Sequence, residues 1–203
     1  MVSNADLVKH LINNSSLKSN NIIEAFENVD RIDFVADPYA SDIYGDYPLQ
    51  IGHGQTISQP TTVAMMLEML SPQTGDNVLD IGSGSGWTTT LLSYIVGEKG
   101  SVIGLERVSE LIKFGSNNLK KYKFNNSKII QASDTLGLVG KKFDCILVSA
   151  AADEFPSELT EQLKPGGKLV VPVKNSIYEV TKKADGKLEG VEHYGFSFVP
   201  LIT

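Results

Sequence analysis

The chain has 203 residues, 41% of them apolar and 21% charged, which suits one compact domain with a core of its own. A net charge of −6 lacks the basic field that phosphate contacts need, so no nucleic-acid partner is expected. Cys145 is the single cysteine, which excludes an internal disulfide and a Cys-rich zinc site. The polar residues 1–12 have no secretory character and no long apolar run marks a membrane span, so a cytoplasmic protein without a membrane partner is expected.

Residues 1–58 carry two short helical patterns, one on Leu7, Val8, Leu11 and Ile12 and the other on Ile22, Ile23, Phe26 and Val29. A turn-rich run over 37–55 holds Gly45, Pro48, Gly52 and Gly54. A helix is predicted from Pro60, with Val63, Met66, Leu67 and Leu70 on one face. Ser58 before it reads as the N-cap, with Pro60 tolerated in the first turn. Strands are then predicted at 77–81, 101–106, 128–131, 143–148 and 168–173, with helices at 87–96, 109–121 and 156–163 between them. Two last strand-like runs, 177–181 and 194–199, are joined through Asp185-Gly186 and look like a hairpin.

This alternation predicts an α/β fold: a Rossmann-like, doubly wound, mostly parallel sheet with an antiparallel edge hairpin and a small N-terminal helical cap. Residues 1–58 are expected to form the cap and a lid, and residues 59–203 the sheet domain, together one compact unit.

The most informative segment is Val78-Leu79-Asp80-Ile81-Gly82-Ser83-Gly84-Ser85-Gly86-Trp87, an apolar strand that runs into a Gly-rich turn before a helix. Ligands in such sheets bind beyond the carboxyl ends of the strands, where this turn falls. A dinucleotide fingerprint would need glycine where Trp87 stands, and no Gly-Lys-Ser/Thr follows for a phosphate loop. Neither Ser83 nor Ser85 has glycine at both −2 and +2, so a hydrolase elbow is excluded too. What remains resembles the Asp-x-Gly-x-Gly-x-Gly first motif found in many class I methyltransferases, or is a structural turn with no ligand.

Glu106 ends the next strand, where a carboxylate accepts both hydroxyl protons of a ribose; the alternative is a solvated charge paired with Arg107 or Lys113. Asp134, after the third strand, suits an adenine amino group or equally an Asx-turn with Ser133. The run Tyr47-Pro48-Leu49-Gln50-Ile51-Gly52-His53-Gly54-Gln55-Thr56-Ile57-Ser58-Gln59-Pro60 reads as a lid near a helix start, with His53 either a substrate contact or a surface residue. His10, His53 and His193 have no metal-ligand spacing, so no metal is expected.

Residues 49–60 resemble the signature of the protein-L-isoaspartate O-methyltransferases. So do Val148-Ser149-Ala150-Ala151, the run from Gln162 to Val173, Phe198-Val199-Pro200-Leu201, and Arg31-x-x-Phe34-Val35. The resemblance implies methyl transfer from S-adenosyl-L-methionine to the α-carboxylate of L-isoaspartyl residues in damaged proteins and peptides. It implies that Ser58 is the active-site serine, with Thr56 and Ile57 beside the reactive end of the cofactor. Asp80, Gly82, Ser83, Gly84 and Gly86 would hold the methionine part, Glu106 the ribose, and Asp134 would stand near adenine. Ser133-Asp134-Thr135 replaces the family's Gly-Asp-Gly, and Ser149 a glycine. A carboxylate is already ionised at neutral pH, so such chemistry needs alignment rather than a general base. Ser58 is therefore expected to orient the acceptor carboxylate. Two other readings share the motif: a class I methyltransferase with another acceptor (a small acid, a tetrapyrrole precursor, RNA or a modified peptide), and a non-catalytic cofactor-binding module.

Overall fold

The computed structural model describes residues 1–35 and 42–202, so the start of the turn-rich run predicted from residue 37 lies outside the described residues. Helices α1 (Asn4–Asn13) and α2 (Asn20–Asn28) lead to a 3-10 turn, Arg31–Phe34. A small antiparallel hairpin, β1 (Leu49–Gly52) and β2 (Gln55–Ile57), precedes α3 (Pro60–Leu70). There follow β3 (Asn77–Ile81), α4 (Trp87–Val96), β4 (Ser101–Glu106), α5 (Ser109–Lys120), β5 (Ser127–Gln131) and β6 (Phe143–Val148). The chain ends with α6 (Ser157–Glu161), β7 (Leu163–Val173), β8 (Ser176–Lys182) and β9 (Leu188–Tyr194).

The main sheet has the order β5-β4-β3-β6-β7-β8-β9, parallel from β5 to β7 and antiparallel at β8 and β9. The chain leaves β3 toward β4 on one side and returns to β6 on the other. The switch point thus falls between β3 and β6, where a crevice opens beyond the strand ends. This is the predicted doubly wound sheet with its antiparallel edge.

Strand pleating divides the core. Val78, Cys145, Leu147 and Val170 face the cluster that holds Leu67 of α3 and Leu91 of α4. Leu79, Ile81, Ile146, Val148, Leu169 and Val171 face the other way, onto Leu159 and Leu163. Leu7, Phe26 and Phe34 belong to the first cluster, so the N-terminal helices share one core with the sheet. Each fully buried side chain of this size contributes roughly 1.5–3 kcal/mol. Cys145 is inside: its thiol donates weakly to the Leu70 carbonyl at 3.8 Å, and burial pushes its pKa well up. Among the described residues no helix is long and apolar enough to cross a membrane.

Four sequence expectations change. The last strand is β9, not 194–199, because the Asp185-Gly186 turn sets the register: pairing starts at Lys182↔Leu188 and ends at Ser176↔Tyr194. The apolar alternation of Phe196 and Phe198 reflects packing against the main core instead. β7 starts at Leu163 and runs through Pro165-Gly166-Gly167 with a register shift, which cuts the helix predicted over 156–163 to the five residues of α6. Part of the turn-rich run is the β1–β2 hairpin, its bend made by Gly52, His53 and Gly54 at φ 91, 54 and 70. Finally, Ser58 does not cap α3. Gln59 occupies the cap position without a side-chain bond, and Asp46 supplies the oxygens, accepting from Thr61 N at 2.9 Å and Thr61 Oγ1 at 2.7 Å.

Candidate active site

The Gly-rich turn connects β3 to α4 over the switch point. Because side chains alternate along β3, Asp80 shares the face of Val78, toward α4 rather than the crevice. Its Oδ2 accepts from Thr88 Oγ1 at 2.8 Å and Thr89 Oγ1 at 2.6 Å, while Oδ1 has no partner among the described residues. Burial, helped by the charge of Glu106 and opposed by the two hydroxyls, raises the Asp80 carboxyl to about 6. Three consecutive threonines are poor helix formers, yet each has work here: Thr90 Oγ1 bonds the Gly86 carbonyl at 2.7 Å.

Gly86 is the tight point. It sits at φ 84, and a Cβ there would meet the Gly115 carbonyl at 2.9 Å. The turn is therefore pressed against α5 at a second glycine. Asn118, also on α5, donates to the Ser85 carbonyl at 3.0 Å.

A cleft of about 1000 Å³, counting the open solvent at its mouth, lies over this turn. Its floor is Ile81, Gly82, Ser83, Gly84, Ser85 and Trp87, and one wall is Thr56, Ile57 and Ser58. Glu106 stands at the strand end on another side, buried, with three backbone donors: Gly84 N at 3.0 Å, Arg107 N at 2.8 Å and Val108 N at 2.9 Å. Two carboxylate oxygens offer about four acceptor sites, so one remains. Ala132, Ser133, Thr135, Leu136 and Gly137 form the far wall. Buried Gln162 fixes that wall, accepting from Leu138 N at 2.7 Å and donating to the Leu136 carbonyl at 2.9 Å.

The cleft thus gathers Thr56, Ile57, Ser58, Gly82, Ser83, Gly84 and Glu106. Gly86 lies just behind them. Two further expected residues, besides Gly86, are not in the lining. Asp80 is behind the turn, and Asp134 is exposed on the outer side of its loop, while its neighbours Ser133 and Thr135 face the cleft and bond each other, Oγ to Oγ1, at 3.0 Å. His53 is exposed at the hairpin bend.

Sequence reading missed three contributors. The C-terminal segment lines the cleft through Val199, Pro200, Leu201 and Ile202, strapped on by Ala151 N to Val199 O at 2.8 Å and Leu201 N to Ala151 O at 2.7 Å. Asp46 joins α3 to α1 through His10 Nε2 at 3.2 Å; although burial raises its pKa, the Thr61 and His10 contacts hold it below the ordinary value. Arg31 is fully buried beneath the hairpin and donates to the carbonyls of Gly45 at 2.6 Å, Tyr47 at 2.9 Å and Ser58 at 3.3 Å. Its signal in the sequence was the Arg31-x-x-Phe34-Val35 match to the family, which gave it no role.

A switch-point cleft, a Gly-rich turn after an acid-bearing first strand and a carboxylate ending the second define a class I S-adenosyl-L-methionine-dependent methyltransferase. The family model for protein-L-isoaspartate(D-aspartate) O-methyltransferase matches residues 2–203. A protein-L-isoaspartate O-methyltransferase of Pyrococcus horikoshii is 42% identical over 192 residues, 92% of this chain and 86% of its own. Its counterpart in Methanopyrus kandleri is 41% identical over 202 residues, 97% of this chain and 89% of its own. A Plasmodium falciparum chain solved in complex with S-adenosyl-L-homocysteine superposes with a TM-score of 0.87 at 28% identity, covering 98% of both chains. The chain belongs to the protein-L-isoaspartate(D-aspartate) O-methyltransferase family.

Proposed function

We propose that the cleft methylates the α-carboxylate of L-isoaspartyl residues in damaged proteins and peptides, with Ser58 orienting that carboxylate. The observation that carries this reading is the place of Ser58. It lies in the cleft wall beside the Gly-rich turn, and its hydroxyl makes no hydrogen bond to any described residue. Bound S-adenosyl-L-methionine supplies an electrophilic methyl group. The residues present fit it: Ser83 Oγ and Trp87 Nε1 are buried without partners among the described residues, and Glu106 keeps an acceptor site. Gly82, Ser83, Gly84 and Gly86 would cradle its amino-acid end, Glu106 its ribose, and Thr56 and Ile57 would border its reactive end. In this reading Asp80 acts from behind the turn as a buried negative charge, and Asp134 shapes the adenine loop through its neighbours.

The chain's task is alignment. The acceptor carboxylate attacks with its own electron pair and the sulfur keeps the pair of the bond that breaks, so no side chain has to move a proton. Ser58 holds the carboxylate, and the hairpin with residues 199–202 screens it from water. Residues 1–58 serve as cap and lid for the catalytic unit 59–203. A cytoplasmic setting suits a chain whose one cysteine, Cys145, is free and buried.

Two synthetic peptides that differ only in one L-isoaspartyl or L-aspartyl linkage, with methyl-labelled S-adenosyl-L-methionine, test the acceptor. Base-labile ester on the isoaspartyl peptide alone is expected; ester on neither moves the search to another acceptor. A hydrogen bond to a charged group contributes about 1.5–3 kcal/mol, so Ser58→Ala is expected to slow turnover about 10–150-fold. Cofactor affinity should stay near wild type, and an equal loss of both would refute an orienting role for the serine.

A further inference from the structure

We propose that Arg31 is a positioning residue for methyl transfer: it clamps the base of the β1–β2 hairpin and so fixes Ser58 relative to the Gly-rich turn. The inference rests on the reading of Ser58 given above.

The guanidinium bonds the chain on both sides of the hairpin. Gly45 and Tyr47 lie just before β1 and Ser58 just after β2, and all three carbonyls accept from the same planar group. It lies over the Trp87 ring, with Cζ 5.4 Å from the ring centroid. Trp87 is the first residue of α4 and part of the cleft floor. One side chain therefore touches the serine wall and the cofactor floor together. Trp87 also packs against Phe26, edge-on with ring centroids 5.6 Å apart. Above the clamp the hairpin leans back on the turn through Ile51, whose Cδ1 stands 3.3 Å from where a Gly84 Cβ would be.

Desolvating a guanidinium costs several kcal/mol and its Nε has no partner among the described residues, so the three carbonyl bonds have a large penalty to offset. Burial lowers its pKa to about 10, with Asp46 and Tyr47 opposing, so it stays cationic at neutral pH. What the guanidinium adds is a rigid fork of donors in fixed directions, which neither lysine nor an apolar residue reproduces. The directions it fixes are those of the backbone that carries the catalytic hydroxyl.

The test uses the full chain with Arg31→Lys, which keeps the charge and three donors but not the planar fork. Folding is checked by circular dichroism and a cooperative melt. Trp87 is the only tryptophan, so its emission reports both the loss of the guanidinium and the binding of S-adenosyl-L-homocysteine. A displacement near 1 Å costs about 100-fold, so kcat per folded molecule is expected to fall about 10- to 100-fold. The Kd for S-adenosyl-L-homocysteine and the peptide KM should stay within about threefold of wild type, which places the loss in kcat. A double-mutant cycle with Ser58→Ala locates the effect: the double variant should be no slower than the slower single one. Arg31→Met, which strands three carbonyls, should lose more; should it fail to fold, the lysine variant carries the test alone. Wild-type kcat per folded Arg31→Lys molecule, or multiplicative losses in the cycle, would overturn the proposal while leaving Ser58 in its role. Full activity in Ser58→Ala beside a slow Arg31→Lys would instead remove the serine reading and, with it, the claim that Arg31 acts through Ser58.

Discussion

Asp80→Asn separates what the buried carboxylate does for folding from what it does for the cofactor. In the folded chain this group titrates at about 6 rather than 3.8, because burial outweighs its two threonine bonds. At about 1.36 kcal/mol per pKa unit, the ionised form costs the folded state about 3 kcal/mol relative to the protonated form. Between 3.8 and about 6 the native state holds more of this proton than the unfolded chain. Its favourable contribution is thus complete below 3.8 and lost as pH rises through about 6. The asparagine carbonyl still accepts from Thr88 and Thr89, but its amide puts an unpaired donor where Oδ1 lay, at a cost of about 1–3 kcal/mol. At neutral pH the variant is therefore expected to be between equal to wild type and about 2 kcal/mol more stable.

Urea unfolding of both proteins from pH about 4.5 to about 8 measures the difference and cancels the other carboxylates. The stability of the variant relative to wild type should rise up to pH about 6 and then level off. A gap that does not change over this window would refute the assignment of a costly buried charge. The same substitution should weaken binding of S-adenosyl-L-methionine, whose ammonium and sulfonium groups are both positive.

Glu106→Gln turns an amide toward three backbone donors that now share a carboxylate. A stability loss of about 1–3 kcal/mol is expected, together with a raised Kd for S-adenosyl-L-homocysteine by titration; an unchanged Kd would remove Glu106 from the cofactor site. Gly86→Ala places a methyl 2.9 Å from the Gly115 carbonyl at a positive φ. It should cost at least about 2 kcal/mol in denaturant unfolding. Gly140→Ala is the control, because its φ is also positive but its Cβ meets nothing within 4 Å. Equal losses at the two positions would mean that the turn is not pressed against α5.

The parallel layer and its turn were legible because periodicity and glycine spacing are local signals. Residues 77–87 are read as a strand, a turn and a helix from their own sequence. Glu106 was found because it ends a strand, and strand ends are where this sheet keeps its site. Partners far apart in sequence were not legible. Nothing near Thr61 announces that Asp46 will cap its helix, so the credit fell on Ser58, the nearer hydroxyl. Asp80 carries the motif, but which way it points depends on where α4 packs. Asp134 was assigned by its distance from a strand, whereas the turn that follows decides which of residues 133–135 face the cleft. The missed edge strand has the same origin: Phe196 and Phe198 alternate as a strand would, but they serve a core that only the folded chain assembles.

The burial of Cys145 has a practical consequence at the bench and under oxidative stress. Its sulfur is walled in by the core, and its proton is held far above neutral pH, so almost no thiolate is available to peroxide or alkylating reagents. An enzyme that meets aged and oxidised proteins thereby offers its substrates no reactive thiol with which to cross-link. The surface is a blank background for labelling as well: one cysteine engineered at the exposed hairpin bend would be the sole site to react with a maleimide dye, and its motion could be followed as the cleft fills.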